Sequence, residues 1–115
     1  MGINNLLYVD DDPDWLEVGQ RRFQEITPNV DTADSYKSGL QMAREKQYDL
    51  IVLDGLNRGC FTFWRLIQDE NIPHGDIVVF SFDDREYKEF TEELGMSFYS
   101  KRDDGLKKII EKYKK

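Results

Sequence analysis

Residues 48–54 read Tyr-Asp-Leu-Ile-Val-Leu-Asp, and this stretch decides the fold. Four consecutive apolar side chains, Leu50-Ile51-Val52-Leu53, lack the polar alternation of a half-exposed strand. A run this continuous and this short suits a strand buried on both faces, as in a parallel sheet. The same reading applies outward along the chain. Leu6-Leu7-Tyr8-Val9, a weaker Asn29-Val30-Asp31-Thr32, Ile77-Val78-Val79-Phe80 and a shorter Met96-Ser97-Phe98-Tyr99 predict four more strands.

Amphipathic stretches separate these runs. Leu16, Gly19, Phe23 and Ile26 share one helical stripe, and Tyr36, Gly39, Leu40 and Ala43 share another. Phe63, Leu66 and Ile67 mark a third helix, Tyr87, Phe90 and Leu94 a fourth, and Leu106, Ile109, Ile110 and Tyr113 a fifth. Asp12 before Pro13 predicts a capped helix start. Ser35 is the expected cap of the second helix, Asp83 or Asp84 of the fourth, and Asp103 or Asp104 of the fifth, with Gly95 closing the fourth. Strict βα alternation predicts an α/β three-layer sandwich, a doubly wound (βα)5 parallel sheet with right-handed crossovers.

The chain has 115 residues, enough for one domain spanning 1–115, and shows no repeat or linker. Its mean hydropathy is −0.69 and 34% of its residues are charged, no apolar run reaches a membrane span and no signal-peptide pattern opens it. Cys60 is the single cysteine, so a reducing, cytoplasmic setting is expected. A net charge of −7 argues against a nucleic-acid backbone as the main partner. The five lysines among the last nine residues read as a solvated helix face. His74 has no second histidine with which to hold a metal and receives no function.

In sheets of this class ligands sit beyond the carboxyl ends of the strands. Those ends carry Asp10-Asp11-Asp12, Asp54, Ser81 and Lys101. Carboxylates gathered in one place repel one another unless a cation sits among them. A small hard cation such as Mg²⁺, which binds through one or two carboxylates, meets that need. An ionised aspartate beside it can attack a phosphoryl group, with the lysine neutralising charge and the serine donating to the new oxygens.

The residues then match a known family. LLYVDDDP (Leu6 to Pro13) resembles the first strand and acidic pair of response regulator receiver domains, and YDLIVLD (Tyr48 to Asp54) resembles the strand ending in their phospho-acceptor. Ser81 matches the hydroxyl position, and GMSFYSK (Gly95 to Lys101) resembles the segment carrying the family lysine. The resemblance covers essentially the whole chain. It implies sheet order 2-1-3-4-5, the flavodoxin-like or CheY-like arrangement, with Asp54 as phospho-acceptor, Lys101 pairing with a phosphoryl oxygen and Ser81 moving toward the phosphate. Asp11, Asp54 and the backbone carbonyl of Leu56 would ligate Mg²⁺, Asp10 would act through a metal-bound water, and Phe98 would be the switch aromatic. The protein would be a switch and not an enzyme. It would receive phosphate from a histidine kinase or histidine phosphotransfer protein and dock a downstream protein target. A homodimer would use the face of the fourth helix, fifth strand and fifth helix. With no output domain after the fifth helix, the chain is expected to act as a stand-alone receiver.

The chain also departs from the pattern. In the loop after the acceptor, Arg58 stands where the family usually has proline, Thr62 where it has glycine and Phe61 where it often has aspartate, while Gly59 is kept. Arg102 replaces the proline after the lysine, Phe82 a small residue, and Gly95 to Lys101 is a residue short. Trp15 reads as a packing residue, and Trp64 reads either as core packing under the third helix or, with Phe61, as a partner surface. Two rivals follow. A degenerate receiver would bind protein without phosphorylation. A haloacid-dehalogenase-like phosphatase would use Asp10-Asp11-Asp12 as its nucleophile motif, but it leaves Asp54 unexplained.

Overall fold

The computed structural model describes residues 2–82 and 85–114. It contains five parallel strands, β1 (Leu6–Val9), β2 (Val30–Ala33), β3 (Leu50–Leu53), β4 (Asp76–Ser81) and β5 (Ser97–Ser100), in the order β2-β1-β3-β4-β5. The helices are α1 (Pro13–Arg22), α2 (Tyr36–Glu45), α3 (Gly59–Asp69), α4 (Arg85–Glu93) and α5 (Gly105–Tyr113). This is the doubly wound three-layer sandwich expected from the alternation of apolar runs and amphipathic stretches.

The period-two geometry of a strand divides each apolar run between two cores. Leu7, Val9, Ile51, Leu53, Ile77 and Val79 point to one face and pack with Leu40, Phe63 and Ile67 of α2 and α3. Leu6, Tyr8, Leu50, Val52, Val78 and Phe80 point to the other, against Phe23 just beyond α1 and Ile109 and Ile110 of α5. All four residues of β1 and of β3 are fully buried, which is why neither run alternates with polar residues. β1 lies between β2 and β3 with Val9 level with Leu53, so Asp10 and Asp54 leave the sheet side by side.

The element ends follow local chemistry. Asp12 accepts the Asp14 N–H at 2.9 Å and Pro13 opens α1. Ser35 accepts the Ser38 N–H at 3.1 Å at the start of α2. Gly95, at φ +81°, ends α4 with paired bonds from its own N–H to Glu92 and from Met96 N–H to Thr91, the left-handed cap that favours glycine. That cap uses the Met96 backbone, so β5 starts one residue later than the apolar run suggests.

Asp104 departs from expectation. It precedes α5 in a left-handed conformation, φ 58°, and its side chain caps nothing. Asp83 and Asp84, the expected caps of α4, lie outside the described residues.

The close approach of α5 to β5 depends on Gly105, where a β-carbon would stand 2.1 Å from the Ser100 carbonyl oxygen. Backbone must move to admit it, so Gly105→Ala should destabilise the fold by about 2 kcal/mol, within the range for forced overpacking. The exposed neighbour change Lys107→Ala should stay within about 0.5 kcal/mol of wild type. Denaturant unfolding of both variants checks this; equal stability of the two would contradict the packing argument.

Candidate functional site

Three strand ends converge on one ammonium group. Lys101, following β5, places Nζ 2.7 Å from Asp10 Oδ2 and 2.8 Å from Asp54 Oδ1. The side chains of Lys101 and Asp10 are 2% and 0% exposed, and that of Asp54 is 13% exposed. Lys101 and Asp10 are therefore buried charges, and Asp54 is the acid that opens toward solvent. Carboxylate oxygens of Asp10, Asp11 and Asp54 all lie within 4.8 Å of one another, with Asp11 on the exposed side.

The two carboxylates on Lys101 are fixed by further donors. Asp10 accepts the Tyr8 hydroxyl at 2.6 Å on Oδ2 and the Asp12 N–H at 2.9 Å on Oδ1. Asp54 accepts the Leu56 N–H at 3.0 Å on Oδ2. Burial, reinforced by the charges of Asp10 and Asp54, pushes the Tyr8 phenol far above its ordinary range, so it remains a donor. Burial also raises the Asp10 carboxyl, against the opposing pull of Lys101, Tyr8 and the Asp12 N–H. Cys60, buried under the same strand end, has its thiol pushed up to about 12 by burial and by the charge of Asp54, which makes it a poor nucleophile.

The loop after Asp54 has an uncommon backbone. Leu56, Asn57 and Arg58 take φ values of 54°, 51° and 73° in succession. Each left-handed non-glycine residue costs about 1–2 kcal/mol, so such a run persists only when its surroundings hold it. The Arg58 N–H donates to the Tyr87 hydroxyl at 2.8 Å. The Leu56 carbonyl accepts the Gly59 N–H, while its own N–H binds Asp54. The Tyr87 ring and Ser81 Oγ both lie beside Gly55.

Ser81, the last residue of β4, is buried with its hydroxyl beside Gly55. Phe98 of β5 is half-buried and packs against the core on the α3 side. The structure thus brings Asp10, Asp11, Asp54, Lys101 and Ser81 to one end of the sheet. Asp12, which the phosphatase pattern needs as its second acid, is engaged in the α1 cap.

Three contributors were not legible as site residues. Tyr8 read as core and Tyr87 as part of a helix stripe, yet both place a hydroxyl on the site or its loop. Trp15 read as ordinary packing, and it does pack against the core that holds Tyr8, but its ring also lies 4.7 Å from Lys101 Nζ. The bulk of Phe82 beside Ser81 was the one signal in the sequence that this pocket has unusual walls. Trp64 is half-buried against the core, and Phe61 stacks on the exposed Phe90 at 4.2 Å between ring centroids.

The comparisons with known proteins bear on the fold. The structure superposes on the receiver domain of a Francisella response regulator with a TM-score of 0.81 at 20% identity, over 96% of this chain and 93% of that one. It matches the N-terminal domain of an uncharacterized Wolinella succinogenes protein with a TM-score of 0.79 at 22% identity, over 96% and 93%. It matches the Vibrio cholerae chemotaxis protein CheY4 with a TM-score of 0.78 at 18% identity, over 97% and 99%. No family model and no curated protein matches the chain in sequence. The fold is that of the CheY-like response regulator receiver domains. No described helix is long and apolar enough to cross a membrane.

The raised Asp10 carboxyl sets a pH dependence. Its folded value lies above its ordinary 3.8, so the folded state favours the protonated acid. The stability this supplies is complete below 3.8 and is lost as pH rises through the folded value. Asp10→Asn cannot titrate, so in EDTA its stability relative to wild type should increase with pH across that window. Unfolding curves from acid to neutral pH test this; a relative stability that falls with pH would contradict it.

Proposed function

We propose that the protein is a phosphorylation switch in which Asp54 accepts a phosphoryl group. The observation that carries this reading is the Asp10–Lys101–Asp54 bridge with Asp11 at its open edge. It gathers three acids where one buried cation only partly offsets their charge. Oxygen ligands of this number and spacing suit Mg²⁺. Asp10, Asp11 and Asp54 would hold the ion, with the Leu56 carbonyl as the further ligand expected from the resemblance; that oxygen already accepts one hydrogen bond, which leaves it a second lone pair. When bound, the metal would neutralise charge on the transferring group.

The chain's own groups do the rest. Asp54 carries the most open carboxylate of the bridge, so it is the one a donor can reach. One of its oxygens forms a bond to phosphorus as the bond from phosphorus to the donor breaks, and the donor leaves with that electron pair. The product is an aspartyl phosphate. Lys101 already touches Asp54 and is placed to pair with a phosphoryl oxygen. Ser81, buried beside the loop, is the hydroxyl that would turn toward the phosphate. Tyr87 of α4 accepts the Arg58 N–H and its ring lies beside Gly55, so a change at Asp54 would be felt at α4. Phe98 on β5 would then repack as the local charge changes.

On this reading the chain is not an enzyme acting on a separate substrate. Its phosphate would come from a histidine kinase or a histidine phosphotransfer protein, and a protein target would recognise the phosphorylated form, all in the cytoplasm. The face of α4, β5 and α5 is the candidate docking surface and, equally, the candidate homodimer surface. The left-handed acceptor loop favours one alternative, a receiver fold that binds its partner without phosphorylation.

Intact-mass spectrometry after incubation with a small acyl-phosphate donor separates the two. The switch predicts one phosphoryl adduct on wild type that requires Mg²⁺ and is absent from Asp54→Asn. An unmodified wild type under conditions where Mg²⁺ binds would favour the constitutive binder.

A further inference from the structure

Lys101 is held by more than its two carboxylates. Its ammonium lies over three aromatic rings, 4.7 Å from the centroid of Trp15, 5.4 Å from Phe82 and 5.6 Å from Phe80. The rings brace one another: Trp15 meets Phe80 edge-on at 5.5 Å and Phe82 at 6.2 Å. Phe80 is fully buried in the core, whereas Phe82 is 47% exposed and Trp15 half-buried at the start of α1. Phe82 also lies 5.6 Å from the Arg102 guanidinium.

An ammonium has three N–H donors, and two point at Asp10 and Asp54. Leucine-sized aliphatic walls would desolvate the cation without compensating it. Aromatic faces carry partial negative charge and attract it, by an amount that grows as water is excluded. The side chain here is only 2% exposed, so the desolvated case applies.

We infer that Trp15 and Phe82 are positioning residues for phosphoryl transfer, forming an aromatic clamp that holds the Lys101 ammonium against Asp54. They act through Lys101 and need not touch the reacting atoms. This role rests on the reading of Asp54 as phosphoryl acceptor. It explains why a bulky ring stands at position 82 beside Ser81, and why the chain places a tryptophan directly after its acidic cluster. Phe80 serves the same cation but also fills the core, so the clamp is tested at the two residues outside the core.

Two measurements decide the proposal. The first is a double-mutant cycle on unfolding in EDTA with Trp15→Leu, Lys101→Met and the pair. Trp15→Leu should reduce the folding equilibrium constant about fivefold more with Lys101 present than with Met at that position. Trp15→Phe, which keeps a ring, should recover most of the loss. Equal losses in the two backgrounds would overturn the clamp whether or not the protein is phosphorylated. The second is the rate of adduct formation with a small acyl-phosphate donor and Mg²⁺. Trp15→Leu and Phe82→Leu should slow it about fivefold, while Trp15→Phe and Phe82→Tyr stay within about twofold of wild type. Equal rates for the leucine and aromatic variants would overturn the positioning role. A wild type that takes up no phosphoryl group would instead overturn the acceptor reading, with the cycle still deciding whether the rings hold the cation.

Discussion

The bridge from Asp10 through Lys101 to Asp54 is the constraint on which the rest of the structure depends. Parallel pairing of β1 with β3 brings two carboxylates out of the sheet at the same level. Without a cation between them, like charges in a partly dry pocket would force one acid to protonate. Lys101 supplies that cation from the end of β5, two strands away from β3, and thereby ties the edge of the sheet to its centre. The Lys101 N–H, bonded to the Ser81 carbonyl at 2.7 Å, continues the β4–β5 ladder and fixes the backbone from which the side chain extends.

Around this bridge the chain spends polar and aromatic groups that a bare sheet would not need. The Tyr8 hydroxyl would be an anomaly inside an otherwise apolar core, and its bond to Asp10 is what makes it tolerable there. The loop after Asp54 keeps three left-handed residues in a row, with its backbone bonded to Asp54, Gly59 and Tyr87.

Much of this was legible from residue order. The runs at Leu6–Val9 and Leu50–Leu53 announced strands buried on both faces, and the acids following them had to meet if the sheet was parallel. Asp12-Pro13 and Ser35 announced helix starts because capping is local chemistry. What stayed hidden depends on contacts between distant positions. Nothing near Tyr87 in the chain indicates that its hydroxyl serves Arg58. Trp15 and Lys101 are far apart in sequence, and an ammonium over an indole leaves no periodicity to read. The αL turn at Leu56–Arg58 was equally silent, since none of its three residues is glycine. Asp104 misled for the opposite reason: an aspartate before a helix usually caps it, and here it takes a left-handed backbone and makes no side-chain cap hydrogen bond.

The account rests on Lys101 being the cation that allows Asp10 and Asp54 to share one pocket. The direct measurement is the denaturant unfolding of Lys101→Met in EDTA and in Mg²⁺, beside wild type. Removing one partner from a buried charge cluster costs about 3 kcal/mol, so the variant should be destabilised by about that much in EDTA and should recover more in Mg²⁺ than wild type gains. A variant as stable as wild type in EDTA, with no larger response to Mg²⁺, would contradict the account.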